Sequence, residues 1–287
     1  MSSLTVHGTP PLLASGLAWP ESPRWHNNSL WFSDVHNFRL MKLEPGQLPQ
    51  KVADVPGRPA GLGVMPDGRL LLATALDKRL WWVQEDGNLV MASDLSSHAQ
   101  GLLNDMIVDE DGRVWVGDTG FDLLKGEPEK SGSLLTWSPG EEARIAAPDV
   151  RFPNGIAVCR NSRKLYLAET FGQCITSFDI SVGGILTNRR VHASLSGRPD
   201  GMCLDSSGAL WVALLWDQEF QRISLDGQVL ERIKLPHERA ISCVLGGVDR
   251  KSLFLGVCEI DEQDKKNITR NGSIRFMTAE TAGAGIP

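Results

Sequence analysis

The chain has 287 residues, 22% of them charged and 41% hydrophobic, with a formal net charge of -6. That balance belongs to a water-soluble globular protein and excludes a disordered tail or a membrane protein. With no long basic run, nucleic acid is excluded as a partner. The five cysteines are odd in number and none is spaced as CxxC. A disulfide framework or thiolate zinc site is therefore not expected, and a reducing compartment is. The first residues have neither a charged start nor an apolar core, and no apolar run approaches the roughly 20 residues of a membrane span. A cytoplasmic location, no membrane, and a monomer or dimer follow as expectations.

In chain order, one pattern recurs six times. An apolar stretch enters a polar turn, and a second apolar stretch leaves it as SLWFSD, RLLLAT, RVWVGD, KLYLAE, ALWVAL or SLFLGV. Alternating or continuous apolar runs of about six residues suit buried strands, not helices. Third strands follow as RLMKLEP, RLWWVQE, SLLTWSP, CITSFDI, EFQRISL and SIRFMTA, and outer strands such as KVADV and VLERIKL close the units.

Seven residues before each turn stand Glu21, Ala60, Asn104, Asn154, Asp200 and Ser242, at intervals of 39, 44, 50, 46 and 42 residues. Short strands repeating at this spacing predict an all-β, six-bladed β-propeller spanning 1-287 as one domain. Closing the ring requires a segment near Pro11 to Leu17 to supply the outer strand of the last blade, since a partial propeller leaves open edges.

The constant offset places all six anchors at the start of an innermost strand, beside the central channel. Four carry oxygen ligands: Glu21, Asn104, Asn154 and Asp200. Asn154-Gly155 and Asp200-Gly201 also have the chemistry of hairpin turns. A hairpin seven residues later leaves little room for a second one. Two carboxylates and two amides converging on the axis suit a hard divalent cation, Ca²⁺ first, with Mg²⁺ and Mn²⁺ behind. Without it, the two carboxylates would repel and one would tend to protonate.

The motifs Pro20-Glu21-Ser22-Pro23, Asn104-Asp105, Pro153-Asn154-Gly155 and Pro199-Asp200-Gly201, with the strands after them, cover nearly the whole chain. In these the sequence resembles the senescence-marker-protein, gluconolactonase and luciferin-regenerating-enzyme family of six-bladed propellers. The resemblance implies that Glu21, Asn154 and Asp200 bind a catalytic divalent metal, with Asn104 a direct or water-mediated ligand. The diisopropyl-fluorophosphatase type is similar, with a Glu, Asn, Asn, Asp calcium site. Sugar-lactone members carry an Arg at the position of Leu102 and a Glu near that of Phe121. Both changes remove hydrogen-bonding charge, so a substrate less polar than gluconolactone is expected.

Loops leaving the second strands share the face of the anchors and bring Asp118, Phe121, Glu169, Phe171 and Trp216 to the mouth as candidate substrate-binding residues. The charged stretch Asp122 to Ser133 reads either as a lid or as a solvated loop. Asp109 to Gly112 reads as a hairpin turn and not as a calcium loop. His98 stands near Asn104 as a possible acid or base, or as a solvated histidine. Asn267-Ile268-Thr269 matches a glycosylation sequon by accident.

These readings converge on a metal-dependent lactonase acting on a small molecule, with Asp200 as the catalytic base. The cellular ion is Ca²⁺, or else Zn²⁺, Mn²⁺, Mg²⁺ or Fe²⁺. Hydrolysis of a phosphotriester or fluorophosphate, another metal-assisted reaction, and a non-catalytic scaffold are the alternatives.

Overall fold

The computed structural model describes residues 4–261 and 270–285; the sequon at Asn267 lies outside them. Six four-stranded antiparallel units surround a channel, the first five running outward in chain order from the innermost strand. The innermost strands are Pro20–His26, Pro59–Val64, Leu103–Val108, Pro153–Cys159, Pro199–Leu204 and Glu238–Gly246. The fold is the six-bladed propeller that the repeat spacing predicts. Leu12–Leu17 pairs with Gly272–Thr278 as the outer strand of blade 6, so the chain's beginning and end share one sheet.

A strand that the repeats do not reveal lies outside this frame. Thr5–His7 runs parallel to Val229–Lys234 as a fifth strand on blade 5. Three largely solvent-facing residues carry no readable period, and the position of His7 against Glu231 (2.9 Å) exists only in the folded chain.

The core lies between blades, because side chains alternate across each sheet. In blade 3, Val114 and Val116 pack toward blade 2, whereas Trp115 packs toward blade 4. In blade 5, Leu210 and Val212 face blade 4, whereas Trp211 and Ala213 face blade 6. Each large apolar side chain fully buried this way stabilises the ring by about 1.5–3 kcal/mol. The Asp109 turn is a hairpin whose carboxylate accepts from the backbone N–H of Asp111 (3.1 Å) and Arg113 (2.9 Å) and from Trp115 Nε1 (3.0 Å).

In the first five blades the innermost strand slips register over the residues beginning at or just before its anchor: Glu21/Arg24, Pro59/Leu62, Leu103/Met106, Pro153/Ile156 and Pro199/Met202. A bulge re-aims a side chain and frees backbone groups from the ladder. Side chains of the preceding blade meet the freed carbonyls. Ser33 Oγ donates to Ala60 O (2.8 Å), Asn104 Nδ2 to Pro153 O (3.1 Å), Thr170 Oγ1 to Pro199 O (2.8 Å) and Ser242 Oγ to Pro20 O (2.8 Å). One device thus aims the anchors and joins neighbouring blades.

Asn154-Gly155 and Asp200-Gly201 lie inside strands, so neither is a turn. Their glycines serve close approach. A Cβ on Gly155 would meet Asp200 O at 2.5 Å and Met202 N at 2.6 Å, and one on Gly201 would meet Ser242 Cα at 2.8 Å. Because the obstacles are backbone, Gly155→Ala is expected to lower stability by about 3 kcal/mol, the scale of overpacking in a rigid core. A melting temperature equal to that of the unsubstituted protein would refute this account of the glycine.

Candidate active site

One cavity of about 180 Å³ opens at the mouth end of the channel. Glu21, Asn104, Asn154 and Asp200 all line it. Asp200 is buried, Glu21 is half-buried, and both amides are held. Asn104 Nδ2 is engaged by Pro153 O, and Asn154 Nδ2 donates to Thr170 Oγ1 (3.2 Å), which itself donates to Pro199 O. Fixing an amide by its nitrogen leaves its carbonyl oxygen as the group to be presented elsewhere. Trp19 Nε1 donates to Glu21 Oε1 at 2.6 Å and engages one of the two carboxylate oxygens.

Burial pushes the Glu21 carboxyl up to about 7, with Asp105 adding repulsion against the lowering effects of Trp19 and Arg58. Burial, then repulsion from Glu21, pushes Asp200 well above the usual carboxylate range, although Asn154 hydrogen-bonds to it. Below them, Asp105 Oδ1 accepts from Ser22 Oγ (2.5 Å) and pairs with Arg24 (3.1 Å), tying blade 1 to blade 3. Arg24 also donates to the carbonyls of Pro23 and Met106.

Above the anchors, one wall is aromatic. Phe121, Phe152 and Phe171 meet pairwise with centroids 5.0–5.9 Å apart, and Leu102 lies on the same lining. Trp216 lines the cavity from blade 5, with the buried Arg239 over its ring at 5.0 Å. His36 stands edge-on to Trp19 at 5.6 Å. Burial, then the nearby Arg58 and Arg270, pushes His36 down to about 4, so it is neutral at pH 7.

Two expected substrate-binding residues are not on the lining. The buried Asp118 carboxylate accepts from the backbone N–H of Gln100 (3.0 Å) and Gly101 (2.7 Å). Glu169 accepts from Arg151 N (2.7 Å) and Thr176 Oγ1 (2.5 Å) and pairs with Arg189 (3.1 Å). Asp34 does the same for Ala18 N and Trp19 N in blade 1. An acidic residue ending a second strand thus braces the loop that leads into an anchor, because that loop's N–H groups need acceptors. His98 lies off the cavity and meets Ser97 Oγ (2.9 Å). Asp122 caps a short turn, and the half-exposed Leu123 and Leu124 extend the cavity's edge.

Sequence reasoning passes over Phe152, Arg58 and Arg198, all of which line the cavity. A signal exists for each: they stand two residues before Asn154, Ala60 and Asp200, as Trp19 and Leu102 stand two before Glu21 and Asn104. These are the last residues before their strands, and the five form a tier above the anchors.

Against this geometry, the SMP-30/gluconolactonase/LRE-like family model matches residues 19–259, and the chain belongs to that family. It is 26% identical over 243 residues to a 6-deoxy-6-sulfogluconolactonase of Pseudomonas putida, covering 82% of this chain and 81% of that one. It is 26% identical over 283 residues to regucalcin of Xenopus laevis, covering 92% and 94%. Among solved structures, a calcium-binding regucalcin from Agrobacterium tumefaciens shares the fold with a TM-score of 0.82 at 19% identity, covering 99% of both chains. All five cysteines are free thiols, and among the described residues no helix is long and apolar enough to cross a membrane.

Proposed function

We propose that the protein is a divalent-metal-dependent lactonase whose substrate ring carries few hydroxyl groups. The observation that carries this is the convergence of Glu21, Asn104, Asn154 and Asp200 on one small cavity under an aromatic wall. The donor set fits a hard cation. Two carboxylates that repel each other on one cavity lining favour a positive partner, and the two amides are held by their nitrogens with carbonyl oxygens left to present. Oxygen ligands without His or Cys favour Ca²⁺, with Mg²⁺ and Mn²⁺ next. The regucalcin likeness supports the same ion, and the sulfogluconolactonase supports the same bond. When bound, the cation supplies Lewis-acid polarisation of the ester carbonyl.

The chain's own residues supply the rest. Asp200 takes a proton from water as that water attacks the carbonyl carbon, and gives it to the ring oxygen as the C–O bond breaks. The product is a hydroxy acid that releases one proton at neutral pH. Phe121, Phe152 and Phe171 hold the apolar face of the ring and exclude bulk water.

Proton release in weak buffer tests this over sugar, aliphatic and aryl lactones, each with Ca²⁺, with Mn²⁺ and after chelation. Cation-dependent turnover favouring aliphatic or aryl lactones is expected. Turnover best on gluconolactone would remove the reading of Leu102 and Phe121 and keep the enzyme. No turnover of any lactone with any cation, a carboxylate-bearing lactone included, would refute the lactonase.

A further inference from the structure

Arg58 and Arg198 line the cavity, and among the described residues neither has a carboxylate in ion-pair contact. Each precedes an innermost strand in the same short motif, Gly57-Arg58-Pro59 and Gly197-Arg198-Pro199. Among the described residues neither side chain makes an ion pair or a hydrogen bond, and Arg58 Nε is buried with no partner. Several other arginines meet a carboxylate, as Arg24 does Asp105, Arg189 Glu169 and Arg275 Glu238. Both side chains are half-buried on the cavity lining, and a guanidinium stays charged at any physiological pH, so each carries its charge to that lining. Two such sites at equivalent positions are better explained by a ligand than by packing.

Their placement is also informative. Blades 2 and 5 lie opposite each other in a six-bladed ring, so the two arginines flank the cavity from opposite sides. The aromatic wall from blades 3 and 4 stands between them. Arg198 is steadied over the Phe171 ring at 4.8 Å. Glu21 and Asp122 act on Arg58 only at longer range. Among the described residues no carboxylate lies within ion-pair distance of either guanidinium.

We infer that the substrate is anionic: a small ring bearing a carboxylate or sulfonate, bound by Arg58 and Arg198 through charge-assisted hydrogen bonds. The ring being a lactone rests on the proposed function; the charge does not. An apolar ring face against the phenylalanines and an oxyanion at its edge match both parts of the lining.

Calorimetry with stable ring analogues separates the two. Tetrahydrofuroate is compared with its neutral carboxamide and with a tetrahydrofuran methylsulfonate, with Ca²⁺ and after chelation. The folded protein is expected to bind at least one anion roughly tenfold more tightly than the amide under both conditions, and less tightly as salt rises. Whichever anion wins identifies the group. Arg58→Met and Arg198→Met are each expected to cut that preference severalfold, and the pair to abolish it. Arg58→Lys and Arg198→Lys should restore part of it, with melting temperatures checking the fold. Equal binding of anion and amide, binding of none, or a preference unchanged in both Met variants overturns the inference. Lactone turnover without anion preference would leave the lactonase standing and sink the anion site. Anion preference without any turnover would do the reverse.

Discussion

Asp200→Asn is expected to reduce cation-dependent lactone turnover by roughly a thousandfold, the scale of removing a positioned general base. The fold should survive. Asp200 is buried beside Glu21, and its charge is opposed by desolvation and by that neighbour. An amide of the same shape relieves both, so the cation-free variant is expected to melt no lower than the unsubstituted protein. The cation-induced rise in melting temperature should shrink, because one of two carboxylates is gone. Undiminished turnover with cation binding retained would remove Asp200 as the base. Lost turnover with lost cation binding would assign it to the ligand set alone.

Glu21→Gln is expected to stabilise the cation-free protein at alkaline pH and to have little effect in acid. The folded-state pKa of Glu21 is raised from 4.5 to about 7. Between those values the native protein holds a proton that the unfolded chain has released, so stability falls as pH rises through this window. Gln has no charge to desolvate, so the variant should gain on the order of 3 kcal/mol relative to the unsubstituted protein above the window. The difference between the two curves is the measurement, because His36 pulls the opposite way. Its folded pKa is depressed to about 4, so its contribution to stability is lost as pH falls. Added Ca²⁺ should raise the melting temperature of the unsubstituted protein more at alkaline pH than in acid. A pH-independent difference between the two proteins would show that Glu21 is not the strained carboxylate described here.

Both expectations rest on how the anchors are held. Bulges at the head of the innermost strands bring Glu21, Asn104, Asn154 and Asp200 to the lining of one cavity. The same irregularities free carbonyls that Asn104, Thr170 and Ser242 then occupy across blade boundaries. Asn104 therefore has two duties: its nitrogen joins blades 3 and 4, and its oxygen remains for the site. Asp34, Asp118 and Glu169 do related work one layer out, by fixing the loops that deliver the anchors.

The architecture follows from the linear pattern of residues. Blade number, strand order, the closing strand near Leu12–Leu17 and the four oxygen anchors are all legible, because a repeat converts local spacing into a shared position around an axis. Strand periodicity and turn chemistry are local properties, and each blade states them again. Features that depend on neighbours from other blades emerge only on folding. Asp118 and Glu169 look like pocket residues in sequence, yet nearby N–H groups draw their carboxylates into bracing loops. Gly155 and Gly201 resemble turn residues, and only the approach of the next strand shows why they lack a side chain. Arg58 and Arg198 are ordinary charged residues in a linear reading. Folding brings them to opposite sides of one cavity without an ion-pair partner among the described residues, and whether a charge is paired is a property of three-dimensional surroundings rather than of spacing along the chain.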